Sequence, residues 1–148
     1  MSRRSIPGVV ASFDALRLAA SRGSIEGTLD ACSLPRLADL MLDEVDTAPI
    51  AFRIEGGTDA ERRGALTVAI DGVLPLTCQR CLGRLDWPVA QRTELLLARD
   101  AAELARLDAE TEAEVILADA PLEPAALVED ELLLTVPYAP RHEGNCPV

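Results

Sequence analysis

The sequence predicts an α+β fold, an antiparallel β-sheet with a few short helices, and three observations lead there. Ile50, Phe52 and Ile54 alternate with Ala51, Arg53 and Glu55, which is the period of a half-buried strand. Leu66, Val68, Ile70, Leu74 and Leu76 keep one parity across Gly72, and Trp87, Val89, Leu95 and Leu97 take it up again after an interruption. The interruption itself, Cys78-Gln79-Arg80-Cys81-Leu82-Gly83, has the form of a Cys-x-x-Cys knuckle at the tip of a β-hairpin.

At 148 residues the chain suits one domain, expected over residues 13–148 after a flexible start over 1–12. No apolar run approaches the roughly 18 residues of a membrane span, so no membrane partner is expected. Met1-Ser2-Arg3-Arg4 is not followed by the apolar core of a signal peptide, which makes the expected location cytoplasmic. Four cysteines are an even number, yet nothing else resembles a secreted disulfide scaffold, and reduced thiols with one metal site are the expectation. The net charge of −11 arises from 25 acidic against 14 basic residues, every one of the latter arginine. Such a surface is not a nucleic-acid footprint as a whole, because neutralising phosphates needs a basic face; a local patch or an intermediary protein stays compatible.

Taken in order, Phe13, Leu16 and Leu18 fit a short helix or an edge strand ended by Gly23. Ser24 to Ala31 reads as a strand carrying Ile25 and Leu29. Ser33 then reads as the N-cap of a helix over Leu34 to Leu42, with Pro35 in its first turn. The polar run after Gly56-Gly57 separates the two central strands, and Gly72 marks a bulge. Pro75 and Pro88 lack the N–H that a ladder needs and therefore suit edge positions near the tip. Residues 99–114 read as a short acidic helix and a solvated loop, and Val115 to Leu117 as a further strand. Pro124 opens a helix over Ala125 to Val136 whose leucines spread around most of its circumference, and Pro137 and Pro140 end it.

Cys78 and Cys81 are half of a zinc site, with Gly83 allowing a tight turn that brings backbone amides towards the thiolates. The tail offers the other half, His142 and Cys146, separated by a stretch containing the turn formers Gly144 and Asn145. A Cys3His set of Cys78, Cys81, His142 and Cys146 is available if the fold carries the tail to the hairpin tip; otherwise these are ordinary reduced cysteines and a surface histidine. A thiol-redox role is the next reading, but the pair follows a strand and not the helix N-terminus that lowers a thioredoxin-type pKa, leaving only Arg80 and Arg84 to do so.

Enzymatic activity is not expected. His142 is the single histidine, every serine falls within the first 33 residues, and Gly56-Gly57 lacks the pattern of a phosphate loop. No small-molecule substrate is expected either. Arg80, Arg84, Arg92 and Arg141 would form a basic island if the tail docks at the tip, able to meet phosphate or an acidic protein face, unless Asp86, Glu94 or Glu143 pairs with them. The few aromatics offer no base-stacking platform. Glu129-Asp130-Glu131 reads as a solvated stripe on the last helix, with a magnesium site as the remote alternative.

Leu76-Thr77-Cys78-Gln79-Arg80-Cys81-Leu82, then Trp87-Pro88-Val89, then Leu127-Val128-Glu129-Asp130-Glu131-Leu132-Leu133-Leu134 before Val136-Pro137, Pro140, His142 and Cys146, resemble the YceD family of large ribosomal RNA subunit accumulation proteins. Gly27, Leu29, Leu37, Ile50 and Phe52 match its earlier pattern, so the resemblance runs from about Phe13 to Cys146. It implies a non-enzymatic factor of bacteria, related to plastid proteins, for the synthesis, processing or stability of 23S rRNA. Its implied partner is precursor 23S rRNA or a ribosome-associated protein. Further C-terminal cysteines in many relatives fit metal binding. Many relatives also continue past the last cysteine into a tail with apolar and basic residues, and any RNA contact made there is not implied for this chain.

Overall fold

The computed structural model describes residues 12–41, 49–137, 139–144 and 146. The expected flexible start therefore lies outside the described residues except for Ser12, as do Leu42, Tyr138 and Asn145. In chain order the elements are α1 (Ala15–Ser21), β1 (Ser24–Asp30), a single 3-10 turn (Ala31–Ser33), α2 (Pro35–Ala38), β2 (Pro49–Thr58), β3 (Gly64–Thr77), β4 (Arg84–Ala98), α3 (Ala101–Glu110), β5 (Glu114–Leu117) and α4 (Pro124–Thr135). No described helix is long and apolar enough to cross a membrane.

The strands lie in chain order in one five-stranded sheet. The first four are antiparallel neighbours, and β5 alone runs parallel to β4. A parallel neighbour needs a crossover, and α3 supplies it. Asp100 caps α3 by accepting from the Glu103 amide at 2.8 Å, and Leu107 is its buried residue.

The alternating residues do what their period requires. Ile50, Phe52 and Ile54 from β2, Leu66, Val68, Ile70, Leu74 and Leu76 from β3, and Leu85, Val89, Leu95 and Leu97 from β4 form one core with residues of α1 and α4. Helix α1 lies so close to β2 that a methyl on Gly56 would overlap the Leu18 carbonyl. Its end is set by Arg22, not Gly23: Arg22 takes the left-handed conformation, φ 53°, and its N–H and that of Gly23 return to Ala19 and Leu18.

Two further local expectations change. Gly72 is not a bulge, since β3 and β4 keep an unbroken register from Ala65↔Leu96 to Thr77↔Arg84. The glycine is there because a Cβ would sit 2.5 Å from Ile50 Cδ1, so it marks a close approach. Ser33 is not the N-cap of α2; its Oγ donates back to the Asp30 carbonyl at 2.6 Å, and the capping position falls to Leu34, which has no side-chain acceptor. The free amides of α2 are received instead by Glu129 of α4, as described below.

The prolines sit where they were expected. β2 ends its pairing with β3 opposite Asp71, and β5 begins opposite Leu95, so the hairpin arm holding Pro75 and Pro88 runs past both neighbouring strands and meets only the isolated Met41↔Leu76 bridge on its β3 side. That arm carries the knuckle.

Candidate metal centre

The last pair of the hairpin is Thr77↔Arg84, and the six residues between them make the knuckle. Cys78 N–H donates to the Gly83 carbonyl at 2.9 Å and Leu82 N–H to the Cys78 carbonyl at 2.8 Å. The turn needs one left-handed residue, and Leu82 supplies it at φ 63°, not Gly83. Gly83 itself is not left-handed, and a Cβ there would meet Cys81 Sγ only at an ordinary contact distance of 3.5 Å.

The tail reaches this tip and is fastened to it. Gln79 N–H donates to the Pro140 carbonyl at 2.7 Å. Arg80 Nη2 donates to the carbonyls of His142, at 3.1 Å, and of Gly144. His142 Nε2 lies 2.8 Å from the Arg84 carbonyl, which can only accept, so Nε2 carries the proton and Nδ1 keeps its lone pair. That lone pair faces Cys81 Sγ at 3.6 Å, while Cys78 Sγ lies 3.7 Å from Cys146 Sγ.

All four potential ligand atoms fall within 4.8 Å of one another. A tetrahedral zinc with Zn–S of about 2.3 Å and Zn–N of about 2.05 Å has edges of roughly 3.8 Å between sulfurs and roughly 3.6 Å from sulfur to nitrogen. The two separations match those edges, so the donor set fits a Cys3His metal centre. The imidazole is already in the tautomer a metal requires, oriented by a backbone carbonyl as histidine ligands commonly are.

Thiolate character is prepared as well. Burial opposes ionisation of Cys78, but the backbone amides of Cys81, His142 and Arg80, with the Cys81 side chain, outweigh it and bring the thiol down to about 5. Burial and its bonds to Cys78 and Cys81 push the Cys146 thiol up, against the opposing pull of Arg80. One sulfur is thus ready to be a thiolate while its neighbour retains a proton that a cation would displace. All four cysteines are free thiols, and Cys32 lies away from the cluster in the 3-10 turn.

The basic residues divide. Arg80 is spent on the tail. Arg84 is at the tip but pairs with Asp86 at 2.7 Å. Arg141 is exposed and makes no ion pair among the described residues. Arg92 is not part of the island: it pairs with Glu55 at 3.6 Å on the opposite face of the sheet from the core, and eight residues of strand put it roughly 26 Å from Arg84.

The acidic triplet corrects the expectation of a solvated stripe. Asp130 is exposed, but Glu129 and Glu131 are only 4% and 1% accessible. Glu129 Oε2 accepts from the Arg36 and Leu37 amides at 2.8 and 3.0 Å, and its Oε1 meets Arg36 Nε at 3.2 Å. It is the missing cap of α2, supplied from a different helix. Sequence could not show this, because donor and acceptor lie more than ninety positions apart. A signal for Glu131 was present in β4, where Gln91 and Thr93 put two polar residues into an otherwise inward apolar parity.

No curated protein and no solved structure matches the chain. The family model for the large ribosomal RNA subunit accumulation protein YceD matches residues 66–148, more than half of the chain, and takes in the hairpin, its cysteine knuckle, the acidic segment of α4 and the tail; the chain belongs to that family.

Proposed function

We propose that this protein supports accumulation of large-subunit ribosomal RNA as a non-enzymatic binding factor, acting on 23S rRNA during its synthesis, processing or stabilisation. The observation that carries the reading is the convergence, within the family's matched segment, of Cys78, Cys81, His142 and Cys146 at the tip of the β3–β4 hairpin. A zinc ion held by these four residues would supply structural fastening, locking the tail to the knuckle. Arg80 positions the tail by its two carbonyl contacts. Exposed Arg84 and Arg141, with Leu82 at 68% accessibility, are then the groups available at the tip for precursor rRNA or a ribosome-associated protein.

A second reading, a zinc-stabilised protein-interaction module with no direct RNA contact, draws support from the same arginines. Arg80 is occupied, Arg84 is paired, and the whole chain carries −11. Phosphate contacts rely on free cations, and few are offered.

The test is complementation in cells lacking the protein. Wild type should restore the 23S to 16S rRNA ratio, and Cys78→Ser and Cys146→Ser should fail to do so while both lose zinc from the purified protein. Full complementation by metal-free variants would sink the role given to the site. Arg84→Glu with Arg141→Glu separates the two readings: loss of salt-dependent binding to precursor rRNA supports direct contact, whereas unchanged association with a purified ribosomal protein, and none with RNA, supports the module.

A further inference from the structure

The sulfurs at the hairpin tip belong to two carriers that are held differently. Cys78 is buried in the knuckle, and its backbone is fixed on both sides, its N–H donating to the Gly83 carbonyl and its carbonyl accepting from Leu82 N–H. Cys81 lies inside the same closed turn, exposed, with the His142 imidazole as its neighbour at 3.6 Å. Cys146 belongs to the tail. It is half-buried and lies past Gly144, the last carbonyl that Arg80 holds.

The sulfur–sulfur contact at 3.7 Å joins the two carriers, since it runs from Cys78 Sγ to Cys146 Sγ. A bond across that contact needs only a small advance of the tail towards a fixed partner. A bond from Cys78 to Cys81 would have to be taken up inside the turn that the two backbone hydrogen bonds define.

We propose that the tail has a second, covalent fastener: a peroxide converts Cys78 and Cys146 to a disulfide, which takes the place of the metal in holding the tail to the knuckle. The inference rests on the reading of the four residues as a zinc centre and names how that centre answers an oxidant. Cys146 is the sulfur of the pair that solvent reaches. Its thiolate takes one peroxide oxygen to become a sulfenic acid, and hydroxide leaves. The Cys78 thiolate then attacks the Cys146 sulfur, the S–S bond forms and a second hydroxide leaves. Two thiolates have lost two electrons, and the peroxide has been reduced to two hydroxides, which two protons convert to water. Cys81 and His142 remain as donors, half of a closed tetrahedral set, so a bound cation is released. A dithiol reductant breaks the bond by exchange and restores all four donors.

The test uses the full chain, purified reduced with zinc and then treated with a small excess of hydrogen peroxide. Trypsin cuts after arginine, which puts Cys32, Cys78, Cys81 and Cys146 on four separate peptides, residues 23–36, 64–80, 81–84 and 142–148, so non-reducing mass spectrometry reads the connectivity directly. The expected product joins 64–80 to 142–148, with zinc released to a chromophoric chelator and taken up again after dithiothreitol. Cys81→Ser should form the same disulfide, and Cys32→Ser should behave as wild type, because Cys32 lies in the 3-10 turn away from the cluster. Amide exchange in residues 141–144 should stay slow in the oxidised, metal-free protein and rise only when zinc is removed under reducing conditions. A link that includes the 81–84 peptide overturns the proposal, and so does exchange in the oxidised protein as fast as in the reduced metal-free one. Zinc content of the reduced protein reports separately on the metal centre: its absence would remove that reading, while the peptide map would still decide the disulfide.

Discussion

The knuckle and the seam under α4 both bury groups that prefer water, and they resolve the problem in opposite ways. At the knuckle the donors are local: backbone amides of residues 80 and 81, two and three positions along, face the Cys78 sulfur, and the tail adds the amide of His142. Under α4 the partners are remote, because Glu129 caps a helix from another part of the chain and Glu131 meets Gln91 of β4 and the carboxyl of Glu114 in β5. A polar group satisfied by its own neighbours can be read from a motif. One satisfied through the fold can be recognised only once the fold is known.

At the proposed zinc centre, chelation should have the largest effect of any single perturbation. With free zinc a thousandfold above its Kd, chelation or Cys78→Ser would cost about 4 kcal/mol of stability. Of the four ligands only Cys78 belongs to the core of β2, β3 and β4, whose remaining members are apolar side chains, so circular dichroism should retain the sheet while amide exchange rises in residues 141–144. Complete unfolding on chelation would contradict this division between core and tip.

Glu129→Ala sharpens the other side. It leaves the Arg36 and Leu37 amides without an acceptor and Arg36 without its deeper partner, which should cost about 2–3 kcal/mol. For a chain of this size that lowers the Tm by roughly 4–12 °C, and Glu129→Gln, which retains an acceptor, should lose less. Equal effects of the two would mean the carboxylate is not working as a helix cap.

Arg80→Ala should leave the fold intact and weaken zinc roughly 10–100-fold, the range for removing a group that supports metal ligands. A competition titration with a chromophoric chelator reads it, and unchanged affinity would mean the tail docks without Arg80.

The pH dependence is smaller and its sign is definite. Glu114 in the folded protein holds its proton up to about 7, above the ordinary value of 4.5. Its contribution is therefore fully present below about 4.5 and is lost as pH rises through about 7. Stability should fall between about pH 4.5 and pH 7 in wild type, and Glu114→Gln should flatten that slope. A slope of the same size in the variant would place the titrating group elsewhere. The exposed Arg84–Asp86 pair forms the baseline, since Arg84→Ala should change stability by about 0–1 kcal/mol.

The strands, their inward faces, the hairpin and the Cys78–Cys81 pair were determined by the sequence alone, because strand period and Cys-x-x-Cys spacing are properties of neighbouring residues, whereas bringing His142 and Cys146 to that pair was left to the fold. The start of α4 at Pro124 was equally legible. Tertiary structure decided the rest. It made Leu82 the left-handed residue of the turn, turned Gly72 from a bulge into a contact with Ile50, and ran β5 parallel through the α3 crossover. It also sent Arg80 to the tail, Arg92 to the far face, and Glu129 and Glu131 inward. For the charged residues the physical reason is the same. A charged side chain settles where its desolvation is offset by a partner, and that partner is chosen by the folded geometry, over distances along the chain that no local pattern records.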